Sequence, residues 1–145
     1  MQDDPQLAAD KAAVADLVAR IFASYQQFDP ALVEQCDAPE CTIWDLFEPQ
    51  LVQGGSAARA NFRKQDMSDS SRRGALSIDI ETPIIDVWGD FAVARYYLDY
   101  EFQPPGALSG RVRITTVARR IDGEWRRVHH HEGVVPTGRP PLTAD

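Results

Sequence analysis

Residues Asp86–Tyr100 read DVWGDFAVARYYLDY, and their pattern decides the class of the fold. The sequence WGD is typical of a tight turn, and side chains alternate with a period of two on both sides of it. The same period continues to the end of the fold and predicts four strands, placed at Ala75–Val87, Phe91–Phe102, Arg111–Ile121 and Glu124–Val135. Because short turns join consecutive strands, we expect an antiparallel meander.

Upstream of this sheet the spacing of apolar residues is helical. Seven of them recur every three or four residues, namely Val14, Leu17, Val18, Ile21, Phe22, Tyr25 and Phe28. They form one stripe on a helix that is predicted from about Gln6 to Phe28. Asp29 and Pro30 are typical of an N-cap and a first helical residue, so a short second helix begins there and ends before Pro39.

Three shorter segments and a tail complete the chain. Cys41–Phe47, CTIWDLF, is predicted to be a strand because it is rich in β-branched and aromatic residues. A third helix is expected to begin near Ser56, after the glycine turn QGGS, and the polar segment Met67–Gly74 is predicted to be a loop. The tail 136–145 contains three prolines and is expected to trail along the surface.

Helices followed by a meander predict an α+β fold, with the helices on one face of a mainly antiparallel sheet. Strands this long must twist strongly. A sheet that curls around the N-terminal helices leaves a concave face with a cavity. The 145 residues are enough for one domain, 1–145, with a core from about residue 6 to about residue 135.

Composition narrows the class of partner and the compartment. A formal net charge of -7 argues against nucleic acid and against an anionic membrane surface, since both require a basic face. No apolar run approaches the ~20 residues of a membrane span. The acidic start MQDDPQLAAD does not have the pattern of a signal peptide. We therefore expect a cytoplasmic protein with Cys36 and Cys41 as reduced thiols.

With these elements in order, the sequence resembles the SnoaL-like proteins of the nuclear-transport-factor-2-like superfamily. The last strand carries that family's signature in DGEWRRVHHH at 122–131, where a glycine turn and a Trp precede a hydrophobic residue and His-x-His. The segments FDPALVEQC, CTIWD, GGSAARANF and DVWGDFAVARYYLDY also follow in the family's order. The resemblance extends from about Ala9 to Val134.

That resemblance implies a cone built from a curved sheet and three helices around a pocket, commonly a homodimer through the outer face of the sheet. Related proteins include ketosteroid isomerases, polyketide cyclases, dehydratases, epoxide hydrolases and binding modules without catalysis. Fold alone therefore does not decide the function.

The resemblance to ketosteroid isomerases also implies roles for single residues. Asp45 lies sixteen residues after Asp29, which is the spacing of the catalytic base in those enzymes. Their oxyanion-hole Tyr falls on Ile21, and their protonated Asp falls at or near Thr116. The isomerase oxyanion hole is therefore not reproduced, because a Thr hydroxyl is a weaker donor than a protonated carboxyl.

Alternation along the strands predicts which side chains share the pocket. The family register places His129 and His131 on the pocket face and His130 outside. On the neighbouring strands the same register turns inward Val93, Arg95, Tyr97, Asp99, Val112, Ile114, Thr116 and Ala118. Phe47 shares the side of Asp45 and would raise the pKa of that carboxyl by making its surroundings apolar.

The chemistry that these residues favour is proton transfer without a cofactor or a metal. Asp45 would take a proton and His131 with His129 would return it, while Arg95 and Tyr97 contact substrate oxygens. Asp99 could pair with Arg95 on the same strand face. The ligand would be a small, largely apolar, oxygenated molecule, and the reaction an isomerisation, a cyclisation or a dehydration.

Three alternatives stay open. His129 and His131 with a carboxylate could form half of a zinc or iron site. Tyr25 could direct its hydroxyl to the mouth of the cone or to a hydrogen-bond partner in the core. The whole chain could be a ligand-binding or assembly module without turnover.

Overall fold

The computed structural model describes residues 4–142, so the first three residues of the acidic N-terminus and the last three of the tail lie outside it. The helices are α1 (Pro5–Gln26), α2 (Pro30–Glu34) and α3 (Ser56–Ser70). The strands are β1 (Asp37–Trp44), β2 (Leu76–Ile80), β3 (Ile84–Trp88), β4 (Phe91–Phe102), β5 (Leu108–Ile121) and β6 (Glu124–Val134). No helix among the described residues combines the length and the apolar character needed to cross a membrane.

The second helix begins at the predicted Asp29 and Pro30, and the first begins at Pro5, one residue before its predicted start. The Asp4 carboxylate accepts from the N–H of Gln6 at 3.0 Å, and the Asp29 carboxylate accepts from the N–H of Ala31 at 3.0 Å. A proline follows each cap as the first helical residue. These contacts satisfy backbone donors that have no partner inside the helix.

The third helix is longer than predicted. It continues through Met67 to Ser70, which the sequence assigned to a loop. Met67 and Ser70 are buried, with 5% and 8% of their surface exposed. Packing of these two side chains outweighs the polar, loop-forming character of the segment.

Six strands form one sheet in the order β1-β6-β5-β4-β2, and β3 pairs with the other end of β4. β1 runs parallel to β6, and the remaining pairs are antiparallel. The predicted strand Ala75–Val87 is in fact β2 and β3, both hydrogen-bonded to β4. The break between them contains Pro83, which has no N–H to donate to a neighbouring strand.

The core lies between α1 and the inner face of the sheet. Its buried members include Val14, Leu17, Val18 and Ile21 from α1 and Ala92, Ala94, Leu98, Val112, Ile114 and Ala118 from β4 and β5. Each large aliphatic side chain contributes about 1.5–3 kcal/mol by leaving water. The α+β class and the helices on one face of a curled, mainly antiparallel sheet are confirmed.

A buried ion cluster fixes the edge of the sheet where β1 lies. The Asp37 side chain is 0% exposed and accepts from the Arg127 Nε at 2.7 Å and from Arg63. Glu34 accepts from the Arg59 Nη2 at 2.6 Å. Since these residues belong to α2, α3, β1 and β6, the cluster joins the start of β1 to the first half of β6 and to the two short helices.

Candidate functional site

An internal cavity of about 280 Å³ opens between α1, α3, the inner face of the sheet and the segment that follows β1. Its apolar wall consists of Phe22, Leu46, Phe47, Leu76, Ile78, Leu98, Tyr100, Phe102, Leu108 and Val112. The polar groups that reach it are Tyr25, Asp45, Asp66, Asp69, Ser70, Arg73 and Glu132. The cavity is thus apolar over most of its surface and carries a small set of carboxyl groups.

Asp45 reaches the cavity from the position one residue after β1, which spans Asp37–Trp44 and not the predicted Cys41–Phe47. Its Oδ2 accepts from the backbone N–H of Phe47 at 2.9 Å and of Glu48 at 3.1 Å. Burial, together with the charge of Glu132, raises the pKa of the Asp45 carboxyl from 3.8 to about 6. A carboxyl with that pKa can both take up and release a proton near neutral pH.

Glu132, on β6, is the partner of Asp45. Its Oε1 accepts from the backbone N–H of Leu46 at 3.1 Å, and its side chain is only 17% exposed. Burial raises the pKa of the Glu132 carboxyl, and the charge of Glu132 in turn helps to raise the pKa of Asp45. The ionisation of each carboxyl group therefore disfavours the ionisation of the other.

The buried His130 side chain contacts Glu132 and orients its carboxyl group. The imidazole is 2% exposed, and burial lowers its pKa well below the ordinary value, so the ring is neutral. Its Nε2 lies 3.1 Å from the Glu132 Oε2, and its Nδ1 lies 3.1 Å from the Thr116 Oγ1. The Tyr96 hydroxyl in turn lies 2.8 Å from Thr116.

When Glu132 is ionised, the chain of hydrogen bonds takes one direction. A neutral imidazole with its proton on Nε2 donates to the ionised Glu132, and its Nδ1 then accepts from the hydroxyl of Thr116. The hydroxyl of Tyr96 donates to Thr116. The buried polar side chains of this row are therefore all satisfied, and the Glu132 carboxylate is oriented toward Asp45.

A third carboxyl reaches the cavity from α3. The Tyr25 hydroxyl donates to the Asp66 Oδ2 at 2.8 Å and lies 3.1 Å from the Ser70 Oγ. Burial raises the pKa of Asp66 to about 6, and the charges of Asp45 and Glu132 add to the effect. Tyr25 therefore lines the cavity and also has a hydrogen-bond partner, so both orientations considered for it hold.

The predicted orientation of the last strand fails at a β-bulge. Val117 pairs with His129, whereas the next residue Ala118 pairs with Arg127, so Val128 has no partner of its own. One extra residue shifts every later side chain to the opposite face of the sheet. Alternation counted without the bulge therefore inverts the whole end of β6.

After the bulge, His130 faces inward, and His129 and His131 face outward, contrary to the prediction. The His129 Nδ1 lies 2.8 Å from the Thr42 Oγ1 on the outer face. His131 is exposed, with its ring 6.4 Å from that of Trp44. The two histidines therefore do not meet Asp45 in the cavity.

The predicted inward face of β4 is also wrong. The side chains that enter the core are Ala92, Ala94, Tyr96 and Leu98. Val93, Arg95, Tyr97 and Asp99 lie on the other face. The reason is the apolar surface of α1, which takes the small and aliphatic side chains of β4 and leaves the charged ones in water.

On that outer face the charged residues pair with neighbours along the sheet. Arg95 donates to Asp86, and Asp99 accepts from the Arg111 Nη1 at 2.9 Å, so the expected pair of Arg95 with Asp99 does not form. The Arg111 guanidinium also lies over the Tyr97 ring, 4.3 Å from its centre.

Thr116 and Phe47 lie where the sequence places them. Thr116 faces inward, but it is 0% exposed and bonded between Tyr96 and His130, so it presents no free donor to the cavity. Phe47 lines the cavity with 65% of its surface exposed, and its ring meets that of Tyr100 edge to face at 6.5 Å.

Three site residues were missed from the sequence: His130, Glu132 and Asp66. The first two depend on the bulge, for which the sequence contains no clear mark. Asp66 lies at the border between the predicted third helix and the predicted loop. A longer helix with Phe62 and Asp66 one turn apart would have placed Asp66 on an inward face.

The geometry also bears on the metal alternative. Among residues 4–142, no three His, Cys, Asp or Glu side chains are arranged to hold a metal ion together. His129 and His131 lie on the outer face, away from the carboxyls of the cavity. The expectation that no cofactor takes part stays a prediction.

Comparison with known proteins gives the family context. The sequence profile of the SnoaL-like domain family matches residues 14–137. No curated protein matches the chain.

Solved structures of the nuclear-transport-factor-2-like superfamily are similar over most of the chain. A protein with a cystatin-like fold from Novosphingobium aromaticivorans has 18% identity and a TM-score of 0.79, covering 95% of this chain and 94% of that one. A superfamily protein from Salmonella enterica has 24% identity and a TM-score of 0.75, with coverages of 90% and 95%. A candidate ketosteroid isomerase from Shewanella frigidimarina has 23% identity and a TM-score of 0.70, with coverages of 83% and 94%. Identities at this level show the fold.

Proposed function

The chain belongs to the SnoaL-like domain family of the nuclear-transport-factor-2-like superfamily, and we propose that its cavity binds a small, uncharged, largely apolar, oxygenated molecule and moves a proton on it. The observation that carries this proposal is the carboxyl pair of Asp45 and Glu132 in an otherwise apolar cavity. In such surroundings a carboxylate is a stronger base than in water, since burial raises its pKa.

In the proposed reaction, ionised Asp45 takes a proton from a carbon next to a carbonyl group. Glu132 is oriented by neutral His130, and its negative charge stabilises the protonated form of Asp45. Asp66, while it carries a proton, donates a hydrogen bond to the carbonyl oxygen, on which negative charge develops. Return of the proton to another carbon gives an isomerisation, and loss of a leaving group from the neighbouring carbon gives a lyase reaction.

This assignment replaces the residues first expected to return the proton. His129, His131, Arg95, Tyr97 and Asp99 lie on the outer face and take no part in the proposed chemistry. The roles of proton acceptor and hydrogen-bond donor pass to the carboxyl groups of Asp45 and Asp66, which have pKa values near 6 and lie on two walls of the cavity.

The test is exchange of α-carbon hydrogen for deuterium in uncharged ketones such as 4-phenyl-2-butanone and 1-decalone, followed by NMR. Asp45→Asn is expected to lower the catalysed rate by about 100-fold or more, which is typical for loss of a general base. Asp99→Asn makes the same chemical change on the outer face and serves as the control. Equal rates for the parent protein and Asp45→Asn would refute the proposed role of Asp45.

One observation favours a second candidate function, binding without turnover. The two positions that correspond to the isomerase oxyanion hole offer no free donor, because Ile21 is apolar and Thr116 is bonded to its neighbours. Under this alternative the same ketones bind in the cavity, detected by NMR shifts of its side chains, and no exchange occurs in any of them.

The cellular compartment and the oligomeric state of the protein stay predictions. We expect the protein in the cytoplasm and as a homodimer through the outer face of the sheet. Sedimentation equilibrium of the purified chain tests the second expectation, and a single species of monomer mass at all concentrations would contradict it.

A further inference from the structure

A second hollow, of about 480 Å³, adjoins the cavity. Asp45, Phe47, Asp66 and Asp69 line both spaces, so the carboxyls of the proposed site stand where the two meet. The remaining wall comes from the segment after β1 and from the outer turns of α3. A ligand held in the cavity therefore has room to extend past Asp45 toward the surface.

The lining of this hollow differs from that of the cavity. It contains four side-chain amides, from Gln50, Gln53, Asn61 and Gln65, and we name it the amide hollow after them. All four side chains are exposed, and within residues 4–142 no hydrogen bond to another residue occupies their amide groups. An amide both donates and accepts, which matches the hydroxyl groups of a polyol or sugar.

Two further features fit the same class of group. The rings of Phe47 and Phe62 line the amide hollow and offer apolar surface to the C–H face of a sugar ring. The charged residues of its wall are Glu48 and the three shared aspartates, and within the described part of the chain no Lys or Arg lines it. An anionic extension would meet only like charges there.

We propose that the ligand has two parts: an apolar, oxygenated body that fills the cavity, and an uncharged, hydroxyl-rich extension that lies in the amide hollow. This inference rests on the proposed function, since it takes the cavity as the binding site of the reacting body. It adds the substrate class, a neutral molecule with a sugar-like or polyol extension and no phosphate, sulfate or carboxylate at that end.

The experiment compares three probes that share one aromatic body: 2-naphthol, 2-naphthyl β-D-glucopyranoside and 2-naphthyl sulfate. Their dissociation constants are measured by calorimetry with the full chain. We expect the glucoside to bind at least about five-fold more tightly than 2-naphthol, the gain from about one net hydrogen bond. The sulfate is expected to bind more weakly than 2-naphthol.

The double variant Asn61→Leu with Gln65→Met removes two amides at nearly constant volume on exposed positions of α3. It should abolish the advantage of the glucoside and leave the affinity for 2-naphthol unchanged. Gln35→Met makes a matched change at an exposed amide that lines neither space, and it should preserve the advantage.

Each result has a separate meaning. A glucoside that binds no better than 2-naphthol, or keeps its advantage in the double variant, overturns the amide hollow as a subsite while the proposed function stands. A sulfate that binds as well as the glucoside overturns the requirement for a neutral extension. If neither 2-naphthol nor the glucoside binds, the cavity is not the binding site, and the proposed function falls together with this inference.

Discussion

Replacing Asp45 with Asn offers the sharpest test of the acid–base site, because it alters stability even when no substrate is known. Asn keeps an oxygen that can accept from the N–H groups of Phe47 and Glu48, so the local turn survives. What the substitution removes is the negative charge. The expected result is a variant that gains stability over the parent as the pH rises from about 4.5 to about 7.5.

The sign follows from the raised pKa. The folded protein binds the Asp45 proton more tightly than the unfolded chain, since the pKa is about 6 in one and 3.8 in the other. The stabilisation that this proton provides is complete below the unfolded pKa and is lost as the pH rises through the folded pKa. In the variant that loss does not occur.

The magnitude follows from the same two values. A difference of about two pKa units corresponds to about 3 kcal/mol of unfolding free energy. Asp45 faces the cavity and its ionisation is coupled to that of Glu132, so part of this energy is screened or is transferred to the partner. We therefore expect the difference between variant and parent to change by about 1–2 kcal/mol across the pH range.

The assay is urea unfolding followed by circular dichroism at several pH values, for the parent, Asp45→Asn and Asp122→Asn. Asp122 lies exposed in a tight turn with a φ of 50°, a conformation that Asn also adopts readily, so its substitution controls for the chemical change itself. Parallel stability curves for the parent and Asp45→Asn would refute the raised pKa and the base assigned to Asp45.

Three other outcomes are expected. The His130 imidazole should show no titration between about pH 5.5 and about pH 8 by NMR, because burial keeps it neutral; a midpoint in that range would contradict its place behind Glu132. Glu132→Gln should lower the pKa of Asp45, measured by carboxyl ¹³C shifts, because a neighbouring negative charge is removed. An unchanged pKa would show that the two carboxyl groups do not interact. Asp37→Ala should cost about 3–5 kcal/mol of unfolding free energy, measured with urea, since it leaves buried guanidinium groups without their partner; a cost below about 1 kcal/mol would count against the ion cluster as an anchor of β1.

Much of the fold could be predicted because local rules govern it. The N-cap at Asp29 and the stripe on α1 involve residues within a few positions of one another, so the sequence carries the signal directly. The family resemblance placed Asp45 at the end of the first strand, and β1 ends one residue before it, although the strand spans Asp37–Trp44 and not Cys41–Phe47. The errors in element bounds occurred where distant contacts act, as at Met67, which packs inward and extends α3.

The site was harder to predict because strand alternation is a relative rule. A period of two divides side chains into two groups, and nothing local says which group faces the helices. On β4 the smaller and more apolar group, with Ala92, Ala94 and Leu98, was the better choice for a core. The other group, which contains the charged residues Arg95 and Asp99, was better suited to face solvent.

The sequence by itself determined the class of the fold and the order of its elements, because caps, stripes and turns act over a few residues, and the family resemblance singled out the carboxyl of Asp45. Only the tertiary structure decided what faces that carboxyl. The pairing of β5 with β6 skips Val128, and the skipped residue turns Glu132 into the cavity and His130 into the core beside it, while His129 and His131 face outward. A bulge arises from the fit of two strands that are joined along their whole length, and that fit exists only once the sheet has formed.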